Sequence, residues 1–240
     1  MKRPRLGSWL IMLVGMLYFF VPLWGTFEFS LRYRRGVYSL DAYWIVLNDP
    51  QFRATFGYST ALALATIVVG VLLVVPTAYW VQLRVPAVRP LVEFVTLLPL
   101  TATETTTDVL LMFSYVTLSL PYMYRAVDTG LRAIDVRTLT EAAQSLGAGW
   151  RTVLFRVIFP NVRVAILSGA FLTFAIVIGE FTMASLLDRP AFGPYLQLIG
   201  ANRAYEPSAL AVITFAITWA CLVLMQLLGR GQPGQAAGAR

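Results

Sequence analysis

The sequence predicts an all-α integral membrane protein with about six transmembrane helices, folded as one domain over residues 1–240. Composition and the length of the apolar runs lead to this reading. The chain is 58% hydrophobic and only 13% charged, against about 25% charged residues in an ordinary soluble domain. Several of its runs approach the roughly 20 apolar residues that span about 30 Å of hydrocarbon. Residue counts also exclude whole classes of chemistry. There is no histidine and one cysteine, Cys221, and Lys2 is the sole lysine. A phosphate-cradling Walker loop needs a lysine after its glycines, which Lys2 does not supply. Zinc clusters, an internal disulfide and a serine–histidine triad lack their residues. No cofactor, metal or catalytic centre is implied.

The first span is read at Trp9–Phe27, behind the basic Met1-Lys2-Arg3-Pro4-Arg5. Its length and the lack of an A-x-A cleavage pattern favour a retained span over a signal peptide. Residues 28–56 are mixed and polar, with Tyr43 and Trp44 suited to the membrane interface. Gly57–Leu83 is a long span carrying Pro76, and Val164–Leu187 and Ala209–Leu228 are two more. Residues 230–240, rich in Gly, Gln and Ala, read as a disordered tail.

The stretch between Arg89 and Arg125 is abbreviated. Leu91–Leu100 is apolar but short, residues 101–108 form a threonine-rich polar patch, and Val109–Tyr124 is apolar again. Arg84 and Arg89 precede this stretch, and Arg125, Arg132, Arg137, Arg151, Arg156 and Arg163 follow it. With both groups on the cytoplasmic side, an even number of crossings separates them. As one helix, residues 91–124 would reach about 51 Å, short of the roughly 60 Å that two crossings need. A compressed third and fourth span is expected, with both termini cytoplasmic. The net charge of +7 follows from this topology, and no nucleic-acid-reading motif accompanies it.

Residues 138–160 read as a helix–Gly–helix elbow on the cytoplasmic face. Thr138 with Glu141 fits a capping box, Gly147 and Gly149 end the first helix, and Trp150–Phe159 forms a second that stops at Pro160. Trp150, Leu154 and Val157 recur at helical spacing as an apolar stripe. On the residues alone, an amphipathic connector lying on anionic lipid is as good a reading as a docking element.

Glu141-Ala142-Ala143, Gly147 and the Ile158-Phe159-Pro160 run resemble the EAA loop of ABC importer permeases, with Phe159 where that family usually has leucine. Tyr115–Tyr122 and Gly179-Glu180-Phe181-Thr182 look like the polyamine/thiamine/iron branch of the family. The likeness covers residues 57–100 and 109–229 and departs at 101–108. It implies a permease that makes the translocation pathway beside a second permease, cytoplasmic ATPase subunits and an extracytoplasmic substrate-binding protein, in the cell inner membrane. Glu141, Ala142, Ala143, Gly147, Ile158 and Pro160 would then couple to the ATPase, and hydrolysis would belong to that partner. The substrate implied is a small polar solute of the polyamine, thiamine, iron or phosphonate class. Glu180 is read at mid-span, where a carboxylate is expensive. It is a packing charge, a protonated carboxyl that only donates a hydrogen bond or, with Thr182, a pathway group. The alternatives are an ion-coupled secondary transporter and a truncated permease paralogue that does not transport.

Overall fold

The computed structural model describes residues 6–34, 37–84 and 107–229. The basic start, the short apolar run 91–100, most of the polar patch and the 230–240 tail lie outside these. The described elements are helices: α1 (Leu6–Ser30), α2 (Asp41–Asn48), α3 (Pro50–Arg84), α4 (Thr107–Arg132), α5 (Val136–Ser145), α6 (Trp150–Asn161), α7 (Arg163–Gly179), α8 (Thr182–Leu186), α9 (Phe192–Asn202) and α10 (Glu206–Gly229).

Trp9–Ser30, Pro50–Leu83 and Glu206–Leu224 are long and apolar enough to cross a bilayer, and α6 with α7 form a bent fourth candidate. α4 is 26 residues long but too polar to qualify. α3 begins at Pro50, well before the expected Gly57. The Asp49 carboxylate accepts the Gln51 N–H at 2.8 Å, and proline at a first helical position sacrifices no hydrogen bond. α4 likewise runs past Tyr124 to Arg132. Pro121 and Pro76 sit inside α4 and α3, and threonine hydroxyls beside them bond carbonyls of the preceding turn. Thr117 donates to Phe113 O and Thr77 to Leu73 O.

The chain divides into two compact units. One comprises residues 1–54 and 195–217. In it, α2 buries Ala42 and Val46 one turn apart, and the Ser30 and Tyr43 hydroxyls bond at 2.6 Å. Tyr43 is therefore tied inward, whereas Trp44 is exposed as an interface residue should be. Phe29 stacks on Tyr205 with centroids 4.9 Å apart, and the Tyr195 hydroxyl donates to Asp49 Oδ2 at 2.9 Å.

The other unit comprises residues 55–194 and 218–240. Its centre is the pair α4 and α7, which meet through small residues spaced four apart, Ala126 and Gly130 on one helix and Ala165 and Gly169 on the other. Small residues let membrane helices approach closely. A Cβ on Gly130 would fall under 3.0 Å from the Ala165 Cβ, and one on Gly169 would crowd Met123 and Ala126. Gly130→Ala is expected to force the helices apart and destabilise by about 1–3 kcal/mol. Thermal unfolding in detergent measures it, and an unchanged midpoint would contradict the tight crossing.

Where residues 164–187 read as one span, the helix ends at Gly179. Glu180 and Phe181 break it, and α8 follows as a short separate helix.

Candidate functional site

The elbow after α4 is the most completely built feature of the second unit. Its first helix, α5, starts earlier than the expected Thr138. The N-cap is Asp135, whose Oδ1 accepts the Thr138 N–H at 3.1 Å and whose Oδ2 accepts the Thr138 hydroxyl at 2.7 Å. These bonds from Thr138 hold the Asp135 carboxyl below its ordinary range. Thr138 is thus the N3 residue and no capping box forms. Glu141 instead takes the Arg137 guanidinium at 2.8 Å one turn back, both side chains being largely exposed. Asp135 was missed in the sequence because Thr138 and Glu141 offered a longer pattern three residues on. An Asp directly before a helical run was the signal available.

α5 is seated by one face. Val136 and Thr140 are buried, and the Tyr79 and Thr140 hydroxyls meet at 3.2 Å, fastening α5 to the end of α3. Asp128 on α4 accepts from Gln82 of α3 at 3.4 Å and from Arg132 at 3.0 Å.

The turn that ends α5 is a Schellman motif. Gly147 N–H donates to Gln144 O at 2.8 Å and Ala148 N–H to Ala143 O at 3.0 Å, with Gly147 at φ +79°. This is the 5→2 and 6→1 pair with a left-handed residue between, a place that favours glycine. Ala143 and Ala148, the residues joined by the longer bond, both pack on the core beneath. Gly149 does not take part in ending the helix. At φ −73° and ψ 164° it is the N-cap of α6 and needs no special freedom.

α6 differs from the expected short α-helix. Trp150–Thr152 is α-helical, Val153–Ile158 is a π-helix and Phe159–Asn161 is α-helical again. Pro160 does not stop it. The chain continues to Asn161 and bends by 74° into α7, and a π-turn beside a proline is a recognised cause of such a kink. The wider turn also changes which residues face inward. Val153, Leu154 and Ile158 are at most 1% exposed, whereas Trp150, placed on the expected stripe, is 57% exposed. They join Val136, Val127 and Leu131 in one core.

Of the six residues read as coupling groups, the structure therefore separates two kinds. Ile158 is buried and Ala143 is partly buried in the core that supports the elbow, and Pro160 sits at the bend. Glu141, Ala142 and Gly147 are exposed on its outer side, with Leu146 (89% exposed) and Trp150 beside them. Ile158→Ala is expected to cost about 2–5 kcal/mol and to loosen the elbow. Faster proteolysis at Leu146 and Arg151, with α7 unaffected, would report it.

Glu180 and Thr182 lie at the other end of α7. Glu180 is not at mid-helix but in extended backbone just past Gly179, and its carboxylate accepts the Met183 and Ala184 N–H groups at 2.7 and 3.1 Å. It caps α8. The buried Tyr115 hydroxyl lies near the same carboxylate without reaching hydrogen-bond geometry. Thr182 is exposed. Nearby, Asp108 accepts the Tyr58 hydroxyl at 2.7 Å and pairs with Arg189 at 2.9 Å.

Residues 51–231 match the family described as "Binding-protein-dependent transport system inner membrane component". The chain belongs to this family. It is thus a multi-pass membrane protein of the ABC importer permease type. The spermidine/putrescine permease PotC of Escherichia coli K12 is 29% identical over 50% of this chain and 47% of its own length. The methionine import permease MetP of Bacillus subtilis is 30% identical over 46% and 47%. ModB, a molybdenum transport permease of Escherichia coli K12, is 41% identical over 27% and 28%. The chain spans about half the length of the curated relatives PotC and MetP that it matches. Among solved structures, a bacterial ABC transporter involved in import of the acidic polysaccharide alginate has the same fold, with TM-score 0.64 and 17% identity over 97% of this chain and all of that one. A second, an amino acid ABC transporter, has TM-score 0.56 and 18% identity over 80% of this chain and 99% of its own.

Proposed function

We propose that this permease forms one half of the translocation pathway of an ATP-driven importer and that its elbow is the cytoplasmic contact for the ATPase subunit. One observation carries the reading. Of the EAA-like residues, Ile158 and Ala143 pack in the core that anchors the elbow to α3 and α4, whereas Glu141, Ala142 and the Gly147 turn are exposed, with Glu141 paired to Arg137. A surface held this firmly transmits a push from a partner to α4 and α7. The small Ala142 leaves room for that partner, and the 74° bend converts motion along the membrane plane into tilt of α7.

The partners are a pair of ATPase subunits, a second permease and an extracytoplasmic binding protein, with both termini cytoplasmic and the chain in the cell inner membrane. Hydrolysis belongs to the ATPase. The pathway passes the end of α7, where Thr182 is exposed and Glu180 holds the helix break in shape. The substrate is a small polar solute. The relatives' names span polyamines, methionine and molybdenum, so the likeness to them does not narrow this class.

Affinity purification of the tagged full-length chain from its native membranes tests the assembly. An ATPase and a binding protein are expected to co-purify. Recovery of the chain alone, with its ATPase expressed, would favour an ion-coupled transporter or a non-transporting paralogue.

A further inference from the structure

The carboxylates of α4 and of the end of α7 are all engaged within the chain. Asp108 takes the Tyr58 hydroxyl and Arg189, and Asp128 takes Gln82 and Arg132. Glu180, just past α7, takes the Met183 and Ala184 N–H groups. Two cations of these helices, Arg125 and Arg163, make no ion pair among the described residues. The charge left over along the pair is therefore positive.

Arg125 has polar company. It lines a groove of about 630 Å³ between α4 and α7 together with Tyr122, Thr129, Asn161 and Ser168. Arg163 lies outside that lining, and no described carboxylate enters it. Gly130 meets Ala165 and Ala126 meets Gly169, so the helices run antiparallel and Ser168 falls within a turn of Arg125 on the facing wall. Tyr122 and Thr129 stand one turn to either side of Arg125 on α4. The Thr129 hydroxyl donates to Arg125 O at 2.8 Å, whereas those of Tyr122 and Ser168 are free among the described residues. A guanidinium thus has two free hydroxyl donors beside it. Tyr122, Arg125, Thr129 and Ser168 are also exposed. In a membrane protein a polar face of this kind turns to a water-filled space or a partner, not to lipid. A wet groove lined by one sign of charge gathers solutes of the opposite sign and repels its own, as arginine does in anion pores.

We propose that the α4–α7 groove is a stretch of the pathway wall that binds an anionic solute, its oxyanion or carboxylate group seated on Arg125 with Ser168 and Tyr122 donating to it. A guanidinium fork matches such groups in shape as well as charge. The proposal rests on the pathway reading above and narrows its substrate class. Polyamines, thiamine and iron cations fall outside it, and a solute with a phosphonate or similar anionic group falls within it.

The sign of the groove can be read without knowing the solute. Ser168→Cys in a Cys221→Ala background, on the full-length chain purified with its co-purifying subunits, is reacted with two methanethiosulfonates. One carries an anionic sulfonatoethyl group and the other a cationic trimethylammonioethyl group. Rates are followed by the mass of the labelled chain and divided by those for free 2-mercaptoethanol. The anionic reagent is expected to be favoured. Arg125→Gln is expected to lower its advantage roughly five-fold, since one unit charge at neighbouring-residue distance in water acts with opposite sign on the two reagents. Arg125→Lys is expected to keep most of it. A ratio near one, a ratio indifferent to Arg125→Gln, or a cysteine that neither reagent reaches in the assembled complex would overturn the site. So would saturable uptake of labelled spermidine or thiamine through this transporter in cells lacking their own uptake. Recovery of the chain without an ATPase, with the Arg125 dependence intact, would sink the importer reading and leave the anion-binding groove standing.

Discussion

Gly193→Ala is expected to destabilise this protein more than any other single added methyl group. Gly193 opens α9 directly against the break between α7 and α8. A Cβ there would stand under 3.0 Å from both the carbonyl oxygen and the carbonyl carbon of Glu180, and 3.0 Å from Phe181 Cα. These are backbone atoms, so no rotamer change relieves the clash. The backbone at Glu180 is itself pinned by the carboxylate's bonds to Met183 and Ala184, while Phe192 N–H is held by the Ser59 hydroxyl at 2.8 Å. Both sides of the contact are thus fastened, and overpacking typically costs 1–3 kcal/mol even where neighbours can shift. A loss of about 3 kcal/mol, or a drop in melting temperature of about 6–12 °C at 2–4 °C per kcal/mol, is expected by thermal denaturation in detergent. Gly200→Ala is the control. It lies in the same helix with nothing within 4 Å of its added Cβ, so the helical gain of alanine over glycine should leave it neutral or slightly stabilised. Equal effects from the two would show that helix propensity, rather than the close approach, governs Gly193.

That contact also marks where sequence reasoning stops. The long spans were legible because a bilayer imposes a length and a polarity that any chain must meet. The elbow glycine was legible because a left-handed turn leaves few residue choices, and Gly147 has φ +79° as its place in the pattern implied. The end of α7 at Gly179, just before Glu180, was not legible because an apolar run carries no mark of where its helix ends. The break depends on Gly193, distant in sequence, and on a carboxylate folding forward to cap α8. The π-helix in α6 was hidden for a related reason. Both Trp150 and Val153 fit an apolar stripe, and only the wider turn decides that Val153 goes inward and Trp150 outward. Asp135 was obscured by a rival pattern of equal local merit. Residues that answer to a local rule could be read, and residues whose role comes from a partner far along the chain could not.

Gly147→Val should abolish ATPase recovery with the tagged chain while leaving membrane insertion and the core intact. Valine is β-branched, and the left-handed region that Gly147 occupies disfavours an ordinary L-residue by roughly 1–2 kcal/mol, more for a branched one. The two bonds that close the turn, to Gln144 O and Ala143 O, are the means by which α5 and α6 keep their angle. The last turn of α5 would therefore fray and its exposed residues, Ala142 and Glu141, would lose their setting. Nothing stands within 4 Å of an added Cβ at this position, so any loss comes from the backbone and not from packing within the chain. Gly147→Asn separates turn shape from side-chain bulk, because asparagine tolerates the left-handed region. The Asn variant is expected to keep most of the ATPase recovered by the unmodified chain. If Asn fails as completely as Val, the partner must occupy the open space at Gly147, and the glycine serves close approach to the ATPase. If Val assembles normally, the elbow is no coupling surface, and the proposed route from the ATPase to α7 falls with it.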